Sequence, residues 1–204
     1  FECVFAATNA FLEGENRENV TVLSLFDNEE IGSLTRQGAD STFLSDVLER
    51  IALACGKGRE ELLRAIAGGF LLSADNAHAV HPDSPEKSDP TNRCYLNGGV
   101  VVKHSPRYAS DALTAGVFQR ICQMADVPVQ VYYNNSKIPG GGTLGNLSGS
   151  HVSLPTVDIG LPQLSMHSPL ESAGAKDLEY MIRAMTAFYS STLTLTGRDT
   201  YTIG

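Results

Sequence analysis

The 204 residues are 42% hydrophobic and 19% charged, which is enough apolar material to bury a sizeable core and fits one domain better than two. A net charge of −8 without a basic run argues against a surface that tracks nucleic-acid phosphates. No run approaches the roughly 18 apolar residues of a membrane span and no signal peptide opens the chain, so a soluble, cytoplasmic protein with no nucleic-acid or membrane partner is expected.

Phe1, Val4, Phe5, Phe11 and Leu12 recur at helical spacing, and Gly14 offers an end. The pattern has no cap before it, so the chain is expected to begin inside a larger gene product. Residues 20–26 read as a buried strand, and a polar segment follows to Asp40. A helix is predicted over 41–55 with Leu44, Val47, Leu48 and Ile51 on one face, and another over 59–67. Residues 69–73 form a short apolar strand delivering Asp75, and the Pro-, Asp- and Asn-rich residues 81–97 form a long loop. A strand over 99–102 ends at Lys103, a helix covers 109–125, and a further strand covers 127–133. The glycine-rich loop 136–145 precedes a strand at 156–160 and an apolar run at 161–166 that delivers His167, and a helix over 174–189 follows. Cys3, Cys55, Cys94 and Cys122 form no Cys-x-x-Cys pair and read as reduced core residues. Strands alternating with helices argue for a layered α/β fold with a largely parallel sheet.

The chain is organised around the end of its first strand, where Asp27, Glu29 and Glu30 put three carboxylates within four positions. Crowded carboxylates repel one another and lose hydration, so they persist where a cation or a set of donors compensates. Neighbouring strand residues face opposite ways, so Glu29 and Glu30 converge on one site only if the chain bends just after Phe26, a bend that Ile31-Gly32-Ser33 can supply. The bland alternative is a cluster that caps a following helix N-terminus. That alternative loses ground because Glu29/Glu30, Asp75, Lys103 and His167 each fall at the carboxyl end of a different predicted strand, the edge where such sheets bind ligands. A set of Glu, Asp and His suits zinc, with manganese or cobalt as substitutes. The residues alone supply three ligands, fewer than a two-metal hydrolytic site needs. His78 and His81 read more simply as hydrogen-bonding loop residues, and His104 and His151 have weaker claims.

Four motifs carry a family resemblance: Phe26-Asp-Asn-Glu-Glu-Ile-Gly-Ser33, Ser73-Ala-Asp-Asn-Ala-His-Ala-Val-His-Pro82, Ile138-Pro-Gly-Gly-Gly-Thr-Leu-Gly145 and Val157-Asp-Ile-Gly-Leu-Pro-Gln-Leu-Ser-Met-His-Ser168. In order and over nearly the whole chain they resemble the aspartyl aminopeptidase (aminopeptidase I) family of zinc peptidases. The resemblance implies a three-layer α/β/α catalytic domain, truncated at its N-terminus and lacking the family's inserted β domain. It implies that Glu29 is the general base and that Glu30, Asp75 and His167 are zinc ligands, with two zinc ions per complete site. The remaining ligands, a His and a bridging Asp, would lie before Phe1. Members similar to this chain remove N-terminal Asp or Glu from peptides and assemble as homo-oligomeric dodecamers. Lys137, where relatives often carry an acidic residue, and Cys94, where Pro is usual, depart from the pattern without touching the site.

Acidic specificity needs a cation in the pocket, and Lys103 is the choice, with Tyr108 and His78 as hydrogen-bonding partners and Met166 as a wall. The bland readings are a solvated strand end for Lys103 and core packing for Tyr108 and Met166. Two other readings stay in view. Gly140-Gly-Gly-Thr-Leu-Gly145 matches a dinucleotide fingerprint, but a polar segment is expected after it where a helix is needed, and Asp158 comes too early for the ribose contact. The chain is otherwise a non-catalytic piece that only assembles with its missing part, or a related metallo-aminopeptidase of different specificity.

Overall fold

The computed structural model describes residues 1–16 and 18–204. Its helices are α1 (Glu2–Glu13), α2 (Phe43–Ala54), α3 (Arg59–Gly68), α4 (Ala112–Met124), α5 (Leu144–His151) and α6 (Ala175–Ser190). Its strands are β1 (Leu71–Ala74), β2 (Ala77–His78), β3 (Val100–His104), β4 (Val129–Tyr133), β5 (Thr156–Gly160), β6 (Pro162–Leu164), β7 (Ser172–Ala173), β8 (Leu193–Gly197) and β9 (Thr200–Ile203). The main sheet has the order β1-β5-β3-β4. β1 lies parallel to β5 and β3 parallel to β4, while β3 meets β5 antiparallel. A smaller sheet, β2-β6-β7, continues from the ends of β1 and β5, with β2 parallel to β6 and β7 antiparallel to it.

Alternation along the strands sorts the two faces. Val100 and Val102 of β3 and Val157 and Ile159 of β5 turn to one side, where they pack with Ala6 and Ala10 of α1, Phe118 and Cys122 of α4, and Met181 and Met185 of α6. The opposite face carries Val101 and Lys103 from β3 and Asp158 from β5, and α5 lies over it against β1 and β5. The mixed α/β layering read from the sequence is therefore present. The start of α4 shows why that helix begins where it does: the Asp111 carboxylate accepts from Thr114 N at 2.7 Å, and Thr114 Oγ1 accepts from Asp111 N at 3.0 Å.

Several expectations need correction. Residues 20–26 form no ladder with any described strand, and Val20, Val22 and Leu25 are exposed. The apolar pattern records an appetite for burial, whereas a strand also needs a neighbour for its backbone donors and acceptors. Cys55 is exposed beyond the end of α2, so three of the four free cysteines are core residues and one is not. A helix, α5, follows the glycine-rich loop where a polar segment was expected, because its Gly- and Ser-rich sequence carries almost no apolar stripe. The β8–β9 hairpin and the short strands β2 and β7 lie outside the predicted elements altogether.

Candidate metal centre and adjoining cleft

After Phe26 the chain bends at Asp27, whose Oδ1 accepts from Asn28 N at 2.8 Å. Asn28 sits in the left-handed region at φ 61°, a single 3-10 turn covers Glu29–Ile31, and Gly32 and Ser33 follow at φ 98° and 62°. The bend thus falls just after Phe26, as expected, and Gly32 and Ser33 complete it. With three residues per turn, neighbouring side chains diverge by about 120°, so Glu29 and Glu30 separate. Glu30 reaches His167, with Oε2 3.0 Å from Nε2. Glu29 lines a cleft of about 430 Å³ together with Ser33, Arg107, Thr143, Asn146 and Leu147. Partial burial, followed by the charges of Asp75 and Glu30, holds the Glu29 carboxyl above the usual carboxylate range. The helix-capping alternative finds only this one turn, which has no side-chain cap.

His167 belongs to the turn after β6, in which Ser165 and His167 both take positive φ, 57° and 68°. Each such residue costs on the order of 1–3 kcal/mol, so the surrounding contacts must hold the turn in place. The Glu171 carboxylate does so by accepting from His167 N at 2.7 Å with one oxygen and from Gln163 Nε2 at 2.9 Å with the other. Donors on a shared tetrahedral zinc at bond lengths near 2.0–2.1 Å lie about 3.3 Å apart. The 3.0 Å contact between Glu30 and His167 fits that spacing, and their nitrogen and oxygen donors suit the ion.

Asp75 stands apart from this pair. Its Oδ2 is 3.6 Å from Lys103 Nζ, and no three His, Cys, Asp or Glu side chains among the described residues gather closely enough to hold one ion. Lys103 is 1% exposed, and its ammonium donates to the carbonyls of Asp75 at 3.1 Å and Asn76 at 3.2 Å. Because β3 runs against β5, the shared carboxyl edge inferred from sequence holds for Asp75 and His167 and fails for Lys103, which reaches across the sheet to the end of β1.

Lys103 is no solvated strand end. Its ammonium lies 5.1 Å from the Tyr108 ring centroid, and burial pushes the Tyr108 hydroxyl up from its ordinary value. His78, the exposed residue of β2, feels partial desolvation first and then the charges of His167 and Lys103, all of which lower its pKa. Met166 is half-buried in the His167 turn. Two histidines are engaged elsewhere: His104 stacks on Tyr133 at 5.1 Å, and His151 lies 3.1 Å from Asp40.

The walls of the cleft meet at a residue that the sequence reading passed over. Asp158 is fully buried in the middle of β5. One carboxylate oxygen accepts from Thr143 Oγ1 at 2.6 Å and the other from Ala109 N at 2.6 Å, which ties the glycine-rich loop to the loop before α4. A lone Asp within an otherwise apolar strand was the available signal, since burying a carboxylate demands donors.

A layered α/β fold with an exposed carboxylate–imidazole pair, Glu30 and His167, held in turns beside a cleft lined by Glu29 defines the class: α/β proteins with a candidate metal site. The family model for aminopeptidase I zinc metalloproteases (M18) matches residues 2–189, and the chain belongs to that family. It is 45% identical over 191 residues to the Clostridium acetobutylicum protein named "Probable M18 family aminopeptidase 2" and 44% identical to the Mycobacterium leprae protein of the same name. Those alignments cover 93% of this chain and 44–45% of the relatives, so the chain spans rather less than half their length. Among solved structures, yeast aminopeptidase 1 superposes with a TM-score of 0.81 at 31% identity, over 92% of this chain and 43% of that one. The Ape4 chain solved in complex with Nbr1 superposes with a TM-score of 0.85 at 36% identity, over 93% and 37%. Against these matches the dinucleotide reading falls away, although the glycine-rich segment does lie between a strand and a helix. The loop from β4 to α5 is also too long for the tight turn that fingerprint requires.

Proposed function

We propose that this chain carries the greater part of the site of a zinc aminopeptidase that removes N-terminal Asp or Glu from peptides. The observation that supports it most is the 3.0 Å pairing of Glu30 with His167, residues remote in sequence, beside a Glu29 whose carboxyl is held above the usual range. In this reading Glu30, His167 and Asp75 would hold metal, with further His and Asp ligands needed to complete the site. Zinc would supply Lewis acidity and a water acidified toward neutrality, and manganese or cobalt could stand in. Glu29 accepts the proton of the attacking water and returns it to the departing amine. Lys103 faces the substrate's acidic side chain with Tyr108 and His78 near it, and Met166 closes the wall. Assembly as a homo-oligomer is supported by a dodecameric neighbour, mApe1, at a TM-score of 0.78, and no described helix is long and apolar enough to cross a membrane. A cytoplasmic location completes the proposal.

The test uses the full-length enzyme, assayed on peptides beginning with Asp and with Ala. Chelation should abolish hydrolysis and zinc should restore it, with the Asp peptide strongly preferred. Lys103→Met should cost the Asp substrate far more than the Ala substrate, because only the former leaves a buried carboxylate unpaired. An equal loss on both would move Lys103 out of the pocket and leave it as the anchor of Asp75. Full activity after complete metal removal would overturn the metallopeptidase reading itself.

A further inference from the structure

We infer that Glu171 and Gln163 form a positioning unit that fixes His167 against the Asp75–Asn76 segment and so sets how tightly the site holds its metal. The inference rests on the zinc reading above and goes beyond it by assigning two residues that touch neither metal nor substrate. A continuous run of hydrogen bonds carries it. His167 N–H donates to Glu171 Oε1 at 2.7 Å, and Gln163 Nε2 donates to Glu171 Oε2 at 2.9 Å. Gln163 Oε1 accepts from Asn76 Nδ2 at 3.4 Å, and the Asn76 carbonyl accepts from Lys103 Nζ at 3.2 Å.

Each end of this run lies at a candidate ligand. His167 is held by its backbone N–H, in a left-handed conformation that is uncommon for a non-glycine residue. Asn76 directly follows Asp75. Between them Gln163 is 6% exposed and fixed in register, opposite His78 on one side and Ala173 on the other. Glu171 is exposed and lies outside any strand, and its two oxygens are both committed. Removing that carboxylate frees the His167 turn to relax, so a ligand in the right place becomes one that must be brought there. Partners of this kind around metal ligands typically alter metal affinity 10–100-fold.

The experiment is a competition titration of the metal-free full-length enzyme with zinc against a chromophoric chelator, alongside thermal melting of the metal-free protein. Glu171→Ala should raise the zinc Kd by about 10–100-fold while the metal-free melting temperature changes little. Turnover of Glu171→Ala at saturating zinc should return close to that of the unmodified enzyme. Glu171→Gln keeps a carbonyl oxygen for the His167 N–H and should recover most of the affinity. A folded Glu171→Ala protein with an unchanged zinc Kd would overturn the inference and leave the metallopeptidase reading intact. Should Glu171→Ala fail to fold, Gln163→Met decides: weaker zinc binding supports the positioning unit and an unchanged Kd refutes it. An unmodified enzyme that binds no zinc sinks both readings.

Discussion

At the scale of single residues, the 3-10 turn sends the adjacent Glu29 and Glu30 to different places, one to the cleft and one to His167, and substitution should separate their effects. Glu29→Gln in the full-length enzyme is expected to keep its zinc and lose a factor of about 10²–10⁴ in turnover, the usual contribution of a positioned proton acceptor. Glu30→Gln removes the partner of His167, so zinc content itself should fall; elemental analysis of both proteins distinguishes the outcomes. The thiols offer an independent check on packing. Burial pushes Cys3, Cys94 and Cys122 up to about 12, leaving almost no thiolate at pH 8, whereas Cys55 is exposed. Brief alkylation of the native protein followed by peptide mass mapping should therefore find Cys55 labelled and the other three protected. Label on Cys3 would mean that α1 leaves the sheet readily.

At the scale of elements, the junction between β5, the glycine-rich loop and α5 depends on Asp158. Thr143→Val deletes one of its two donors and leaves a buried carboxylate oxygen unpaired, which should cost about 1–3 kcal/mol, read as a lower urea midpoint at unchanged slope. Gly145→Ala should be harmful for a different reason, since its Cβ would lie 2.6 Å from Asp158 Oδ1.

This junction also marks where the sequence was hard to read. The long amphipathic helices were legible because burial of one face writes a 3.6-residue period, as in α4 and α6. α5 was not, because a tertiary hydrogen bond from Thr143 anchors its start and its own residues carry little preference for helix. The converse error lies at residues 20–26, where Val, Leu and Phe announce a strand and no described neighbour pairs with it. At the site, Glu30, Asp75 and His167 were legible as chemical types at element ends. That Asp75 faces a buried lysine was not, because it follows from β3 running against β5, and strand direction leaves no trace in a residue pattern.

For the whole molecule, apolar exposure is the governing fact. Phe5, Leu12, Leu25, Leu34, Phe43 and Leu63 are each at least 48% exposed, and the side chains of Glu30 and His167 are 72% and 64% exposed. Residues 1–204 produced alone are expected to self-associate, visible by sedimentation velocity as species heavier than one chain. They should also bind zinc loosely and show negligible peptidase activity, recoverable by adding the remaining segment of the full-length protein. Turnover by the piece alone near that of the whole enzyme would show that its own residues suffice. The placement of β5 has a further consequence, in time. β5 is the last of the four main strands to be synthesised, yet it lies between β1 and β3. Until it emerges, β1 has no partner in the main sheet, while β3, α4 and β4 are contiguous in the chain and β3 already has its parallel partner. The turn carrying His167 comes after β5 and the short β6, so the imidazole is made only once the central strand has been made. A nascent chain therefore lacks the paired Glu30 and His167 side chains until β5 has been made, while α6 and the β8–β9 hairpin are still to come.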